Sequence, residues 1–185
     1  MCLTASACQT HFHLRQGDLL FHVASDGNAI TDVTPGMIDH VAIYLGGDTV
    51  VEAIGRGVVI THLDTLLRRE PGYYQAGRVK GIDRRRSVVN ALLYLGRPYD
   101  HLYLPNDEAI YCSELVQLAF VDRQSKPVFQ PVPMSFHDST GIVTPYWQQF
   151  YASHGLSVPE GEPGTNPAEL SRRPQVLLLR KIATE

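Results

Sequence analysis

The stretch from Asp39 to Gly55 constrains the fold most, because its pattern is that of two strands joined by a tight turn. In DHVAIYLG the side chains alternate between two faces, Val41, Ile43 and Leu45 on one and His40, Ala42 and Tyr44 on the other. The letters GGD then turn the chain, and TVVEAIG is rich in the β-branched residues that favour strands. The sequence therefore predicts a β-hairpin over these residues.

The register of this hairpin decides where Glu52 points. Directly opposed residues of an antiparallel pair share a face, so a shift of one residue reverses every side chain. A two-residue loop at Gly46-Gly47 would pair His40 with Ala53 and send Glu52 to the opposite face. A three-residue loop at GGD, or a bulge with the same effect, pairs Ala42 with Glu52 and makes His40 and Glu52 diagonal neighbours, about 7–8 Å apart at the backbone. Because glycine supplies the left-handed geometry that three-residue loops need, we predict the second arrangement.

The order of the remaining elements indicates the fold class. Further strand patterns appear in GDLLFHVA, VVIT and YYQAGRVKG, helical patterns follow, and QVLLLRKI returns as a closing, largely buried strand. Strands that come first, with helices interleaved later, predict an α+β fold around a mostly antiparallel sheet. The chain has 185 residues, of which 44% are apolar, and this suits a single domain over residues 16–185.

Composition excludes several classes of protein. The formal charge of -3 and the isoelectric point near 6.2 give no support to nucleic-acid binding. No stretch approaches the roughly 20 apolar residues that a membrane span needs. The three cysteines, Cys2, Cys8 and Cys112, are too few and too uneven in number for a disulfide-stapled scaffold.

The N-terminal segment carries a separate signal. The small residues Ala5-Ser6-Ala7 before Cys8 look like the end of a bacterial lipoprotein signal, although a charged n-region and a long apolar h-region are missing. We expect residues 1–15 to be a tail or the remnant of such a signal. A membrane tether through Cys8 would place the protein in the bacterial envelope or periplasm, which we favour over the cytoplasm. Cys8 with His11 and His13 is also a weak zinc pattern, because it lacks a second paired cluster.

Cys112 begins the helical pattern of CSELVQLAF. Unpaired N–H groups and the helix dipole stabilise an anion at this position, and a thiolate is the reactive form of cysteine. Cys112 also shares an apolar stripe with Leu115, Val116 and Ala119, as a buried structural cysteine would. The helix alone leaves both interpretations open, and the choice depends on a nearby base.

A thiol nucleophile needs an imidazole within hydrogen-bonding reach and a third group that orients the imidazole. His40 is the best-placed histidine, because it is mid-strand and on the face opposite Val41; His22 is a weaker rival. Glu52 could orient His40 in the predicted register. Tyr99, in the turn GRPYD, could donate to the oxyanion together with the backbone N–H of Cys112.

These motifs together resemble the papain-like cysteine hydrolases, and within them the circularly permuted, NlpC-like branch of the YiiX/YaeF type. LGRPYD and YCSELVQLAF match the motifs around the nucleophile, while the histidine strand DHVAIYLG and its partner VVEAIG precede them. The order histidine, glutamate, cysteine is that of the permuted branch, as is the opening GDLLF. Glu114 stands where the unpermuted motif has glycine, and we expect its larger side chain to narrow the cleft.

The resemblance implies a permuted papain-like fold whose sheet packs against the nucleophile helix, with Cys112 as nucleophile, His40 as base, Glu52 as orienting acid and Tyr99 as a possible oxyanion donor. It implies a cysteine amidase that cleaves a peptide, a cell-wall fragment or an N-acyl amino compound through a thioester, without a metal or cofactor. A lipid acyltransferase or phospholipase using the same triad is an alternative, and a catalytically silent ligand-binding module is another.

Overall fold

A six-stranded antiparallel sheet organises the chain in the computed structural model, which describes residues 13–34, 36–105 and 108–182. The eight strands are β1 (Leu19–Ala24), β2 (Ile38–Gly46), β3 (Thr49–Ile54), β4 (Gly57–His62), β5 (Gly72–Val79), β6 (Val132–Pro133), β7 (Pro163–Gly164) and β8 (Val176–Ile182). The five helices are α1 (Leu63–Leu67), α2 (Arg84–Leu92), α3 (Cys112–Ala119), α4 (Pro145–Ser153) and α5 (Pro167–Ser171).

The large sheet has the strand order β4-β3-β2-β1-β5-β8, and every neighbouring pair in it is antiparallel. The short strands β6 and β7 pair separately. Helices α2 and α3 pack together, and α3 contacts β2 and β3. The predicted α+β class, with an antiparallel sheet against the cysteine helix, is confirmed.

The hairpin of β2 and β3 has the predicted register. Ile43 is opposite Val51 and Tyr44 is opposite Val50, which is the offset that would place Ala42 across from Glu52. The offset arises from an irregularity between Tyr44 and Gly46, after which Gly46 pairs with Thr49. Positive φ angles of 93° at Gly46 and 55° at Gly47 let the chain turn there. The register prediction is therefore correct, and a bulge produces it.

The two faces of the sheet bury different sets of side chains. The face toward α2 and α3 buries a cluster that includes Val41, Ile43, Val51, Ala53, Leu115 and Val116. The opposite face, covered by α1, buries Leu20, Ala42, Tyr44, Val50, Leu66, Tyr74 and Ala76. The alternation of β2 thus places His40 on the α1 side of the sheet, away from the body of α3.

One expectation about the C-terminal region is wrong. Strand β8 is the outermost strand beside β5, so Leu177 and Leu178 are 46% and 42% exposed rather than buried. Before it, Pro167 begins helix α5, and the Asn166 side chain caps the N-terminus of this helix.

The predictions about the N-terminus concern residues that the structure does not describe. Both the possible lipidation site Cys8 and His11 of the zinc pattern lie outside the described ranges. Within those ranges, none of the helices has the length and apolar character needed to cross a bilayer.

Candidate active site

Cys112 is the first residue of α3, directly after the extended residue Tyr111. Its side chain is 5% exposed and belongs to the same buried cluster as Leu115 and Val116. The sulfur therefore lies at the end of the helix where unpaired N–H groups favour an anion. Cys112 therefore packs in the core and also lies at the N-terminus of a helix.

His40 contacts groups that come from both faces of the sheet. The paired part of β2 and β3 stops at Ile43 and Val51, so the strands are not joined at the level of His40. The Nε2 atom of His40 lies 2.7 Å from Oε2 of Glu52, and the ring is also hydrogen-bonded to Cys112. Because Glu52 occupies Nε2, the contact with the sulfur falls to Nδ1. The structure thus brings together three of the predicted residues around one imidazole.

Glu52 is fully buried and is held by a second partner, Arg69. The guanidinium donates from Nη1 to Oε2 over 2.9 Å and from Nη2 to Oε1 over 2.5 Å, a bidentate pairing that fixes the plane of the carboxylate. Arg69 lies just beyond α1 and reaches the sheet from that side. Glu52 is therefore clamped between a cation and the imidazole that it faces.

These contacts shift the pKa values of His40 and Glu52. Burial by itself would lower the pKa of His40, but the hydrogen bonds to Cys112 and Glu52 and their negative charges outweigh burial and raise this pKa to about 10. Burial would raise the pKa of Glu52, yet the bonds from His40 and Arg69 lower it to about 2. At neutral pH, His40 is consequently an imidazolium between a carboxylate and the sulfur.

Tyr99 lies beside Cys112 in the wall of one cavity and also lines the cleft that His40 borders. Burial, followed by the nearby charge of Cys112, raises the pKa of Tyr99 well above its ordinary value, so the phenol keeps its proton. Its hydroxyl is hydrogen-bonded to that of Tyr103. The position agrees with the expected oxyanion donor, and Tyr103 is a neighbour that the sequence did not indicate.

A second histidine–carboxylate pair adjoins the first. His22 is directly opposite His40 on β1, and its Nδ1 lies 2.6 Å from Oδ1 of Asp39. Asp39 also accepts a 2.6 Å hydrogen bond from Asn28, and its pKa is lowered because these bonds outweigh burial. His22, the weaker rival for the base, thus has its own carboxylate, whereas His40 has both a carboxylate and the sulfur.

Glu114 does not narrow the cleft as we expected. Its carboxylate turns back toward the start of α3 and accepts a 3.4 Å hydrogen bond from the backbone N–H of Tyr111. It lines neither of the two cavities beside Cys112. The larger side chain therefore serves as a cap on the nucleophile helix.

Two cavities flank the sulfur and the imidazole. The larger, of about 700 Å³, is an open cleft with His22, His40, Arg69, Tyr74 and His101 in its walls. The smaller, of about 70 Å³, contains Cys112 and is surrounded mainly by aromatic and other apolar side chains. Trp147 is 3% exposed and borders the small cavity.

Comparison with known proteins identifies a family and a similar solved structure. The family model described as "Permuted papain-like amidase enzyme, YaeF/YiiX, C92 family" matches residues 13–180. A crystal structure described as that of the metalloprotein yiiX from Escherichia coli O157:H7 is similar with a TM-score of 0.74 and 23% sequence identity, covering 91% of this chain and 97% of that one. The comparison with curated protein sequences finds no match.

Proposed function

The chain belongs to the permuted papain-like amidases of the YaeF/YiiX type, a family of cysteine peptidases and amidases, and we propose that it hydrolyses amides with Cys112, His40 and Glu52 as its triad. One observation carries this proposal: the His40 ring is hydrogen-bonded both to the sulfur of Cys112 and to Glu52. A buried structural cysteine would need neither partner. The pairing supplies the nucleophile and the acid that amide cleavage requires.

The first half of the reaction transfers the acyl group to the enzyme. The Cys112 thiolate attacks the carbonyl carbon of the amide, a C–S bond forms, and the carbonyl oxygen takes the negative charge. The backbone N–H of Cys112 and the hydroxyl of Tyr99 stabilise this oxyanion. The His40 imidazolium then gives its proton to the amide nitrogen, the C–N bond breaks, and a neutral amine leaves.

The second half releases the acid. His40, now neutral, removes a proton from a water molecule whose oxygen attacks the thioester carbonyl. When this intermediate collapses, the C–S bond breaks, the carboxylic acid leaves, and the thiolate and imidazolium are restored. The overall reaction consumes one amide and one water and yields one acid and one amine.

Glu52 and Arg69 act through His40 in this scheme. Arg69 binds both carboxylate oxygens, which keeps Glu52 ionised and in one orientation. Glu52 in turn fixes the ring of His40 so that Nδ1 faces the sulfur. We assign Arg69 as a positioning residue, because its side-chain hydrogen bonds go to Glu52 and it acts on Cys112 only through His40.

The proposed reaction uses no metal ion. Although the similar yiiX structure is described as that of a metalloprotein, no three histidine, cysteine or acidic side chains in the described part of this chain form a group that could hold a metal ion. Among the described histidines, His40 contacts both a carboxylate and a cysteine. Its ring nitrogens are engaged by these two groups, Glu52 and Cys112. The described residues therefore do not fit a metal centre, and every step above uses side chains and water.

The range of substrates follows from the class of reaction. An amide in a peptide, in a cell-wall fragment or in an N-acyl amino compound would serve, with the amine portion in the large open cleft. Acyl transfer from a lipid would use the same triad, but a long acyl chain contains more atoms than the 70 Å³ cavity next to Cys112 can hold. The hydrolysis of a compact amide is thus the better-supported function.

Fluorogenic amides test this proposal. We expect the purified protein to release 7-amino-4-methylcoumarin from at least one member of a library of N-acyl coumarin amides. Cys112→Ala should reduce the release to the rate without enzyme while leaving the thermal unfolding temperature nearly unchanged. Hydrolysis that survives in Cys112→Ala would overturn the assignment of the nucleophile.

A further inference from the structure

We propose that the small cavity against Cys112 is an acyl pocket for a short, uncharged acyl chain that carries a hydrogen-bonding group a few atoms from the carbonyl. This inference deepens the proposed function and rests on it, because it names the substrate portion that stays on the sulfur. The cavity has Cys112 in its wall and adjoins the open cleft in front of Arg69, since Asp39 and Tyr99 line both. A group bonded to the sulfur would enter it directly.

The size of the cavity limits the acyl chain. It offers about 70 Å³ to the centres of water molecules, and one water needs roughly 10–15 Å³ on this scale, so about five to seven non-hydrogen atoms fit. That number equals a side chain of ordinary amino-acid size. A fatty acyl chain of twelve carbons has about twice as many atoms.

The walls are mostly apolar and aromatic. Tyr103, Phe136 and Trp147 contact one another edge to face, with ring centroids 5.7 Å apart for Tyr103 and Trp147 and 5.2 Å apart for Phe136 and Trp147. Met134 and Ile30 add aliphatic surface. These groups favour a hydrocarbon chain over water, since burying apolar surface is favourable.

Among the polar groups that interrupt this wall, two hydroxyls have no partner. Ser113 is fully buried and Thr165 is 6% exposed, and both border the cavity. Neither Oγ of Ser113 nor Oγ1 of Thr165 has a hydrogen-bond partner within the described ranges of the chain. Because leaving a buried hydroxyl unpaired is unfavourable, a ligand that bonds to these groups gains what the free protein lacks.

The charge at the cavity excludes acidic acyl groups. Asp39 borders the cavity, and both of its oxygens are already engaged, by His22 and by Asn28. Its carboxylate repels a second negative charge, and the Ser113 and Thr165 hydroxyls can donate to a neutral acceptor. The hydrogen-bonding group of the acyl chain is therefore a neutral one, such as a ketone or an amide.

A matched pair of substrates tests whether the hydroxyls of Ser113 and Thr165 bond to the acyl chain. The 4-oxopentanoyl and 4-methylpentanoyl groups have the same skeleton, and only the first can accept hydrogen bonds from Ser113 and Thr165. We expect kcat/KM for the coumarin amide of the oxo compound to be about ten-fold higher. Ser113→Ala and Thr165→Val should each bring the ratio of the two kcat/KM values closer to one, because they delete the hydroxyls that would bond to the oxo group.

A series of acyl chains of different length tests the size limit of the cavity. Hexanoyl amide should be cleaved at least about ten-fold faster than dodecanoyl amide, measured below the concentration at which the longer compound forms micelles. Equal or faster cleavage of the dodecanoyl compound would overturn the inference while leaving the proposed amidase activity intact. An equal rate for the oxo and methyl compounds would also overturn it.

A binding measurement separates this inference from the catalytic proposal. In Cys112→Ala, which cannot be acylated, 4-oxopentanamide should bind saturably by NMR titration and at least three-fold more tightly than 4-methylpentanamide. If both bind equally, or neither binds, the pocket is wrongly assigned. If the oxo amide binds more tightly but the intact enzyme cleaves no amide, the pocket is supported and the proposed function fails.

Discussion

His40 Nε2 and Glu52 Oε2 lie 2.7 Å apart although neither residue belongs to the paired part of the β2–β3 ladder. Arg69 binds the other oxygen of the same carboxylate. The contact between His40 and Glu52 therefore holds, within the hairpin, the ring that also bonds to Cys112 of the nucleophile helix. Most predictions below perturb this contact.

Replacing Glu52 with Gln should move the alkaline limb of the pH–rate profile to lower pH. The negative charge of Glu52 helps to raise the pKa of His40 to about 10. Without it this pKa falls, by about 1–3 units for a partner in contact, so the imidazolium is lost at lower pH. Measurement of kcat/KM between pH 6 and pH 11 checks the shift.

Asp18 offers a matched control for that experiment. It is a second fully buried carboxylate, bound by Arg78 over 2.8 and 2.6 Å at the opposite end of β1. Asp18→Asn should lower the unfolding temperature, as loss of a buried ion pair does, and leave the alkaline limb in place. Equal pH profiles for Asp18→Asn and Glu52→Gln would contradict the role given to Glu52.

Replacing Arg69 with Gln should move the acidic limb of the pH–rate profile to higher pH. In the intact protein the pKa of Glu52 is about 2, because bonds from His40 and Arg69 outweigh burial, so Glu52 stays ionised at every assay pH. In Arg69→Gln this pKa rises, Glu52 takes up a proton as the pH is lowered, and activity is lost at a higher pH than in the parent protein. Arg69→Lys should restore part of the difference, since it returns the charge without the bidentate geometry.

Arg78→Gln is the corresponding control. It removes the closer of the two guanidinium partners of Asp18, the other being Arg84 at 3.5 Å, and should destabilise the fold. Its acidic limb should coincide with that of the parent protein. If Arg69→Gln also leaves that limb unmoved, Arg69 is only a structural residue.

The two opposed histidines should differ sharply in function. His40→Gln removes the group that protonates the leaving amine, and we expect kcat to fall about 100- to 10,000-fold. His22→Gln alters a residue with the same kind of carboxylate partner on the neighbouring strand, and should change kcat by less than about ten-fold. Comparable losses in both variants, with intact folding by circular dichroism, would mean that the base is wrongly identified.

Tyr99→Phe should lower kcat with little change in KM, because an oxyanion donor acts in the transition state. We expect a loss of about 10- to 100-fold, less than for a backbone donor since the N–H of Cys112 remains. Tyr151→Phe deletes another buried hydroxyl, which donates 2.9 Å to the carbonyl of Leu102, and should reduce only stability. A normal kcat in Tyr99→Phe would remove this residue from the mechanism.

The parts of the site that the sequence predicted are those fixed by local patterns. Strict alternation and the glycines of GGD determine the register of Glu52, and the boundary of an amphipathic run places Cys112 at a helix tip. Arg69 was missed because nothing in RRE marks it; its partner is 17 residues away and is reached only once α1 folds over the sheet. The small cavity was missed for a similar reason, since segments near Ile30, Met134 and Thr165 meet only in the folded chain.

The errors have physical causes too. LLL in β8 has the apolar run of a buried strand, but a run of this kind does not show whether a strand ends up at the edge of its sheet. The size of Glu114 predicts a narrower cleft, whereas its position three residues after Tyr111, the residue before α3, suits it to capping that helix.

Trapping of an acyl-enzyme tests the central claim most directly. The protein is mixed with an activated ester of a short acid at pH 7 and quenched within seconds, and the acylated residue is located by peptide mass spectrometry. We predict one acyl group on Cys112, lost with time as the thioester hydrolyses and formed at least about 100-fold more slowly in His40→Gln. Acylation of Cys112 at the same rate in His40→Gln, or turnover of the ester with no acyl group ever found on Cys112, would contradict the account.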